Sequence, residues 1–253
     1  GGWPRWIMKH FKEAKRHGIN GVTVRIDTLA KDNSAVLVPL LELNLRLVAK
    51  LAMNGEADLD AELRDWWRRH FSGEIPEGMK EVILSFEDYL EKALYINGTN
   101  ITEYNPDHGF PLKAVDVAPG YPCWHSEQFT RPGTRIAESM CRMIPPWGHR
   151  SRPVNELRQE KLDAIAICDR ATEYMKAARI SPEDRDYFLR TVQKARDVAV
   201  AFLLTIEVVH PLYQIVGEHH DTAMTDPKTC LRDALARFRF FADEMESRWG
   251  ADF

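Results

Sequence analysis

Cysteine is scarce and scattered in this chain of 253 residues. The four cysteines stand at positions 123, 141, 168 and 230, without a Cys-x-x-Cys pair or the spacing of a small disulfide scaffold. We therefore expect separate reduced thiols, because an unpaired cysteine mostly behaves as a small buried hydrophobic residue.

Long apolar runs, excess positive charge and the common cofactor motifs are also missing. No run approaches the roughly 20 apolar residues that a membrane span needs. The net charge is −4, and no basic stripe is interleaved with aromatic residues. Neither a membrane nor a nucleic acid is therefore an expected partner. No glycine-rich phosphate loop is present, and no cofactor is predicted. The chain also lacks a Gly-x-Ser-x-Gly elbow and a Cys/His nucleophile pattern.

Potential metal ligands cluster towards the end of the chain, at His219, His220 and Asp221, with His210 and Glu218 nearby. Neighbouring residues on a helix point to different sides, and the His-Glu-x-x-His spacing of zinc enzymes is absent. Since a helix C-terminus favours histidine through its dipole alone, we predict no metal site.

Periodic apolar residues predict helices over most of the chain. The expected helices cover residues 4–17, 39–53, a stretch from the cap Asp58 to Gly73, 80–94, 155–178, a long helix after Ser181-Pro182 that Pro211 should kink, and a last helix after Asp226-Pro227. The last two carry apolar seams, Phe188 to Val216 and Leu231, Leu235, Phe238, Ala242, Met245 and Trp249.

One β-branched run, GVTVRID at residues 21–27, stands between the first two helices. Helix, strand, helix is the order found in a barrel or a doubly wound sheet, yet no comparable strand follows. We expect a mainly α chain that begins with the last β/α unit of a TIM-type barrel, whose earlier strands precede this sequence. The predicted domains are the barrel end at 1–55 and a helical domain at 56–253.

Residues 95–153 lack periodicity and are rich in proline, glycine, asparagine and aromatic residues. Loops of this length are usually functional or disordered, and the aromatic content favours an ordered, packed loop. Trp124 and Trp147 are candidates for stacking on a ligand, although the loop aromatics also suit a loop that packs on itself. Trp66 and Trp67, at helical spacing beside Leu63, are expected in the core.

Four polar residues near the predicted strand are candidates for a site. Arg25 and Asp27 end the strand, and active-site groups of α/β barrels collect at that end, although two solvated charges in a turn would look the same. Glu42 and Asn44 lie near the start of the next helix. An acidic residue is favoured in a first turn for its charge alone, whereas asparagine is a poor helix residue without a partner.

Four segments in the first third of the chain carry a resemblance to known enzymes: GVTVRID at 21–27, ELNL at 42–45, LAMNGEADLD at 51–60 and LRDWWRRHFSG at 63–73. Through these segments the chain resembles large carbohydrate-active enzymes. It is similar to glycoside hydrolases in which a (β/α)8 barrel is followed by a helical domain, as in the α-glucuronidases.

The resemblance implies the C-terminal portion of a glycoside hydrolase that degrades polysaccharide. Such enzymes use two carboxylates, which the family carries on earlier strands outside this sequence. The catalytic residues are therefore unassigned, and activity of this chain alone is uncertain. Arg25, Asp27, Asn44 and Glu42 would bind sugar hydroxyls or a uronate carboxylate, and Trp124 or Trp147 would stack on a sugar ring.

Two other functions remain open on the residues. The apolar seams also suit a non-catalytic helical binding or oligomerisation module, including a homodimer through the C-terminal helices. A free-standing helical enzyme with its site in the central loop would need carboxylates or histidines that converge there. The sugar, the linkage and the cellular location are not specified by any of these patterns.

Overall fold

The computed structural model describes residues 4–19, 21, 39–96, 99–100, 154–216 and 226–250. Within these ranges the chain is mainly helical, as predicted. It forms seven helices and one two-stranded hairpin: α1 Pro4–Arg16, α2 Pro39–Asn54, α3 Leu59–His70, α4 Met79–Leu94, β1 Tyr95–Ile96, β2 Thr99–Asn100, α5 Val154–Ala177, α6 Pro182–Val216 and α7 Pro227–Trp249.

Local signals account for several helix ends. Gly18, with φ +71°, closes α1: its N–H donates to Lys15 O, and the N–H of Ile19 reaches Ala14 O at 3.0 Å. This paired arrangement satisfies carbonyls that a helix end otherwise leaves open, and glycine takes the left-handed conformation without strain. Asp58 caps α3 as predicted and accepts hydrogen bonds from the N–H groups of Asp60 and Ala61.

Two local predictions differ from the structure. Helix α3 ends at His70, before Gly73, because Phe71 already adopts an extended conformation. Part of the segment expected to be irregular forms a short antiparallel hairpin, in which Ile96 pairs with Thr99. A two-residue connection of asparagine and glycine is a common hairpin signal, which explains the pairing on either side of positions 97–98.

The chain divides into two compact units. Unit 1 comprises Gly1–Leu90 and Ile167–Gln193, and unit 2 comprises Glu91–Ala166 and Lys194–Phe253. The predicted boundary at residue 55 separates a barrel end from a helical domain, which is a different kind of division, and it stays a prediction. The predicted strand at 21–27 and nearly all of the loop at 95–153 lie outside the described residues.

The core of unit 1 joins α2, α3 and α4 to α1 and to the adjoining parts of α5 and α6. Trp66 and Trp67 are fully buried there, as predicted, and Trp67 stacks on Phe188 with ring centroids 5.6 Å apart. Helix α1 is fixed by an ion pair between Arg5 and the buried Glu87. The hydrogen bond from Arg5 to this carboxylate raises the pKa of the arginine, so its guanidinium stays charged.

The described part of unit 2 is held by α5, α6 and α7. Ala201 and Leu204 of α6 pack against Phe241 and Met245 of α7. At the end of α7, the buried Asp197 accepts hydrogen bonds from Arg248 Nη1 at 2.8 and 2.7 Å and from Trp249 Nε1 at 2.9 Å. These bonds fix the last turn of α7 to α6.

The predicted seam of α7 is partly wrong. Leu235 is 50% exposed and Ala242 is exposed, whereas Ala234 and Phe241 are buried. Along α5, the apolar residues that recur at helical spacing are all buried: Leu157, Ala164, Cys168, Ala171 and Met175. Lys161 also lies in the buried stripe of α5, where its Nζ donates to Lys92 O.

None of the helices in the described ranges is long and apolar enough to cross a membrane. Cys168 is buried and Cys230 is exposed, and neither forms a disulfide within the described ranges. The other two cysteines lie outside the described residues.

Candidate functional site

Charged side chains line the surface between α2 and α3 in unit 1. Their contacts run in opposite order along the two helices: Glu42 meets His70, Arg46 meets Asp65 and Glu62, and Lys50 meets Glu62. The two helices are therefore antiparallel, and the start of α2 lies beside the end of α3. We call these residues together with Arg69 the α2–α3 charge cluster.

Glu42 and His70 form the open end of the α2–α3 charge cluster. Glu42 Oε2 contacts His70 Nε2, and the two side chains remain 29% and 25% exposed. Glu42 Oε1 also lies 4.0 Å from Arg46 Nη1. The pairing with a carboxylate fixes which imidazole nitrogen faces outward.

Arg46, Glu62 and Asp65 form the closed end. Glu62 is almost completely buried, and its Oε2 accepts a hydrogen bond from Arg46 Nη2 at 3.3 Å. Lys50 contacts the other carboxylate oxygen, Oε1. Asp65 also contacts Arg46 and lies 3.4 Å from Arg69 Nη2. A buried carboxylate is tolerated only when it is paired, so this end is a rigid base for the exposed pair.

Aromatic side chains support the cluster from below. The ring of His70 lies 6.1 Å from that of Trp66 and 6.2 Å from that of Phe71, centroid to centroid. Phe71 in turn contacts Phe188 and Tyr187. Partial burial raises the pKa of Tyr187, which therefore stays protonated and uncharged at neutral pH.

The open end offers both donors and acceptors to a ligand. His70 Nδ1 makes no hydrogen bond within the part of the chain that the structure describes, and the Glu42 carboxylate beside this histidine is partly exposed. A carboxylate and an imidazole held at fixed positions suit a molecule with several hydroxyl groups. The carboxylate–imidazole pair is also able to hold or transfer a proton.

The structure places the predicted site residues differently. Glu42 belongs to the cluster, whereas Asn44 is half-buried and lies roughly 200° around α2 from Glu42, so the two do not share a face. The other four predicted residues, Arg25, Asp27, Trp124 and Trp147, lie outside the described residues, and their roles stay predictions.

Sequence reasoning missed the partners of Glu42. The spacing of Glu42 and Arg46, four residues apart with the acid first, was an available signal for a helix-surface ion pair. His70 gives no such signal, because 28 residues separate it from Glu42 and only the antiparallel packing of α2 and α3 brings them together.

Comparison with protein-family models, with curated proteins and with solved structures finds no match to this chain.

Proposed function

We propose that this chain is the C-terminal portion of a carbohydrate-active glycoside hydrolase. In this proposal residues 21–27 form the last strand of a TIM-type barrel, and α2 is the helix that follows it. The catalytic carboxylates lie on earlier strands. The chain completes the barrel and contributes one wall of the sugar site.

The observation that carries the proposal is the position of the α2–α3 charge cluster. In an α/β barrel, a strand's C-terminal end and the start of the next helix lie at the same face, where active sites form. Glu42 lies in the first turn of α2, and His70 lies beside it at the end of α3. Both side chains are partly exposed, and Arg46 links Glu42 to the buried Glu62. Arg25 and Asp27 would reach the same face from the strand.

The roles follow from the chemistry of each group. Glu42 accepts hydrogen bonds from sugar hydroxyls, and His70 donates or accepts through its outer nitrogen. Arg25 binds a uronate carboxylate, which matches the planar fork of a guanidinium. Trp124 and Trp147 would cover the ring from the central loop.

The proposal is tested on the protein as its source organism produces it. Its intact mass should be well above the 29.2 kDa of this chain, and it should release sugar from an oligosaccharide that carries a uronic acid. A native mass of 29.2 kDa, or a larger protein inactive on uronic-acid and neutral oligosaccharides alike, would contradict the proposal.

The alternative of a helical assembly module has one observation in its favour. Leu235 and Phe240 on α7 are large apolar side chains that unit 2 leaves exposed. Against it, Phe241 and Met245 of α7 already pack on α6, and the α6 seam residues Val192, Ala199, Phe202 and Ile206 are already buried, so these positions do not require an external partner. Light scattering on the wild type and on Phe240→Ser tests whether the exposed face of α7 joins two copies of the chain. A dimer that dissociates in the variant would favour assembly through this helix.

A further inference from the structure

A second cluster of charged residues lines a cleft within unit 2, separate from the α2–α3 charge cluster. The cleft has a volume of about 250 Å³, and α5, α6 and α7 all contribute to it. Its floor is apolar, with Ile206 and Pro211, and its charged residues include Arg158, Glu207 and Arg237.

Glu207 lies between the two arginines. Arg158 Nη2 donates to Glu207 Oε1 at 2.8 Å, and Arg237 Nη1 lies 2.9 Å from Oε2. The second contact lacks hydrogen-bond geometry, since Oε2 accepts no hydrogen bond in the described part of the chain. The carboxylate therefore holds Arg158 firmly and Arg237 only by charge.

The arginines keep most of their hydrogen-bonding capacity. Each guanidinium carries five N–H donors, and the arginine side chains are 46% and 58% exposed, whereas Glu207 is only 9% exposed. The Glu207 carboxylate pairs with both guanidinium groups and balances one of their two positive charges. Asp233, also at the cleft, is exposed and makes no ion pair in the described ranges, so water screens its charge as it screens the exposed parts of the two arginines.

Pro211 adds an acceptor at the same place. Proline has no N–H, so the carbonyl of Glu207, four residues earlier in α6, lacks its usual helical donor. Glu207 and Pro211 both line the cleft, so we expect this carbonyl at its wall. The cleft thus combines anion-binding guanidinium groups, a hydroxyl-accepting carbonyl and an apolar floor.

We propose that this cleft binds a small organic anion of the hydroxy-acid type. The carboxylate lies against Arg158 and Arg237, the hydroxyl donates to the Glu207 carbonyl, and the carbon body rests on Ile206 and Pro211. Guanidinium pairs recognise carboxylates and phosphates through the same planar fork, so inorganic phosphate competes for the arginine positions. A cleft this small excludes an oligosaccharide, and the proposal does not depend on the hydrolase function.

The test is a titration of the full chain, followed by NMR or calorimetry, with lactate, its uncharged analogue lactamide, and inorganic phosphate. We expect saturable binding of lactate, competition by phosphate and no binding of lactamide. Arg237→Gln should weaken lactate binding at least tenfold. The matched control is Arg239→Gln, which removes an exposed arginine two positions along α7 and should change the affinity less than twofold.

If the glutamine variant fails to fold, Arg237→Lys replaces it, because lysine keeps a positive charge near Glu207. This variant should also weaken lactate binding, because lysine lacks the planar guanidinium fork. Three results would overturn the proposal: no saturable lactate binding by the wild type, equal binding of lactamide, or equal losses in Arg237→Gln and Arg239→Gln.

Discussion

The buried carboxylate of Glu62 offers the sharpest test of the candidate site's rigid base. In Glu62→Gln the side chain keeps its size and loses its charge, so Arg46 and Lys50 lose their shared partner. Removing one member of a buried ion pair costs about 3–5 kcal/mol when the remaining charge is stranded. Here the cost is smaller, because Arg46 keeps Asp65 and Lys50 is half-exposed.

We expect a loss of about 2 kcal/mol in the free energy of unfolding, comparable to one hydrogen bond to a charged group. Urea unfolding followed by tryptophan fluorescence measures it, since Trp66 and Trp67 lie next to the cluster. The control is Glu74→Gln in the same unit. Glu74 is 76% exposed and 3.5 Å from Arg68, so its loss should cost less than about 0.5 kcal/mol. Equal losses in the two variants would refute the account of the cluster.

Three further predictions concern the packing and the helix ends. Trp67→Ala should cost about 3–5 kcal/mol by leaving a cavity, and Trp67→Phe less, because it also removes an indole N–H that is buried without a partner in the described residues. Asp197→Ala should lower the free energy of unfolding by about 2–3 kcal/mol, because Arg248 loses a buried partner but is itself partly exposed. The control Asp243→Ala, at an exposed site on α7, should change the free energy of unfolding little. Asp226→Ala should lower the Tm at neutral pH, and the difference from wild type should narrow as the pH falls below 3.8.

The sign of the last prediction follows from the cap of α7. Hydrogen bonds from Thr229 lower the pKa of Asp226 below its ordinary value. A carboxyl with a lowered pKa in the folded protein stabilises it fully above the ordinary value and loses that effect as the pH falls through the folded pKa. A Tm difference that stays constant from pH 7 to pH 2 would contradict this account of the cap. Equal losses of stability in Trp67→Ala and Trp67→Phe would contradict the prediction for Trp67, and equal losses in Asp197→Ala and Asp243→Ala would contradict the prediction for Asp197.

The helices could be predicted from the sequence because apolar spacing and capping residues act over only a few neighbouring positions. The apolar spacing along α5 gave its buried stripe, and Asp58 marked the start of α3 by a hydrogen bond that spans only two residues. The register of α7 was harder, because Phe238, Phe240 and Phe241 allow more than one apolar face. Only the packing against Ala201 and Leu204 selects the face that contains Phe241.

The candidate site was predictable only in part, because its residues come together through the packing of two helices. Glu42 could be chosen as an acid near the start of a helix, but its partner His70 lies at the far end of the next helix. Glu62 is an ordinary helix-surface acid in the sequence, and its burial comes from the neighbouring Arg46 and Lys50. Such pairings depend on how two helices pack, which spacing along one helix does not encode.

The most direct measurement of the central claim uses the native-length protein and steady-state hydrolysis of an oligosaccharide that carries a uronic acid. Glu42→Gln should raise KM about tenfold with kcat nearly unchanged, because it removes a charged hydrogen-bond acceptor that binds the sugar without taking part in bond cleavage. Glu56→Gln, at an exposed position beyond the end of α2, should leave both constants unchanged. If Glu42→Gln behaves like Glu56→Gln, the α2–α3 charge cluster does not contact the sugar; if the wild-type protein hydrolyses neither uronic-acid nor neutral oligosaccharides, the assignment as a glycoside hydrolase is wrong.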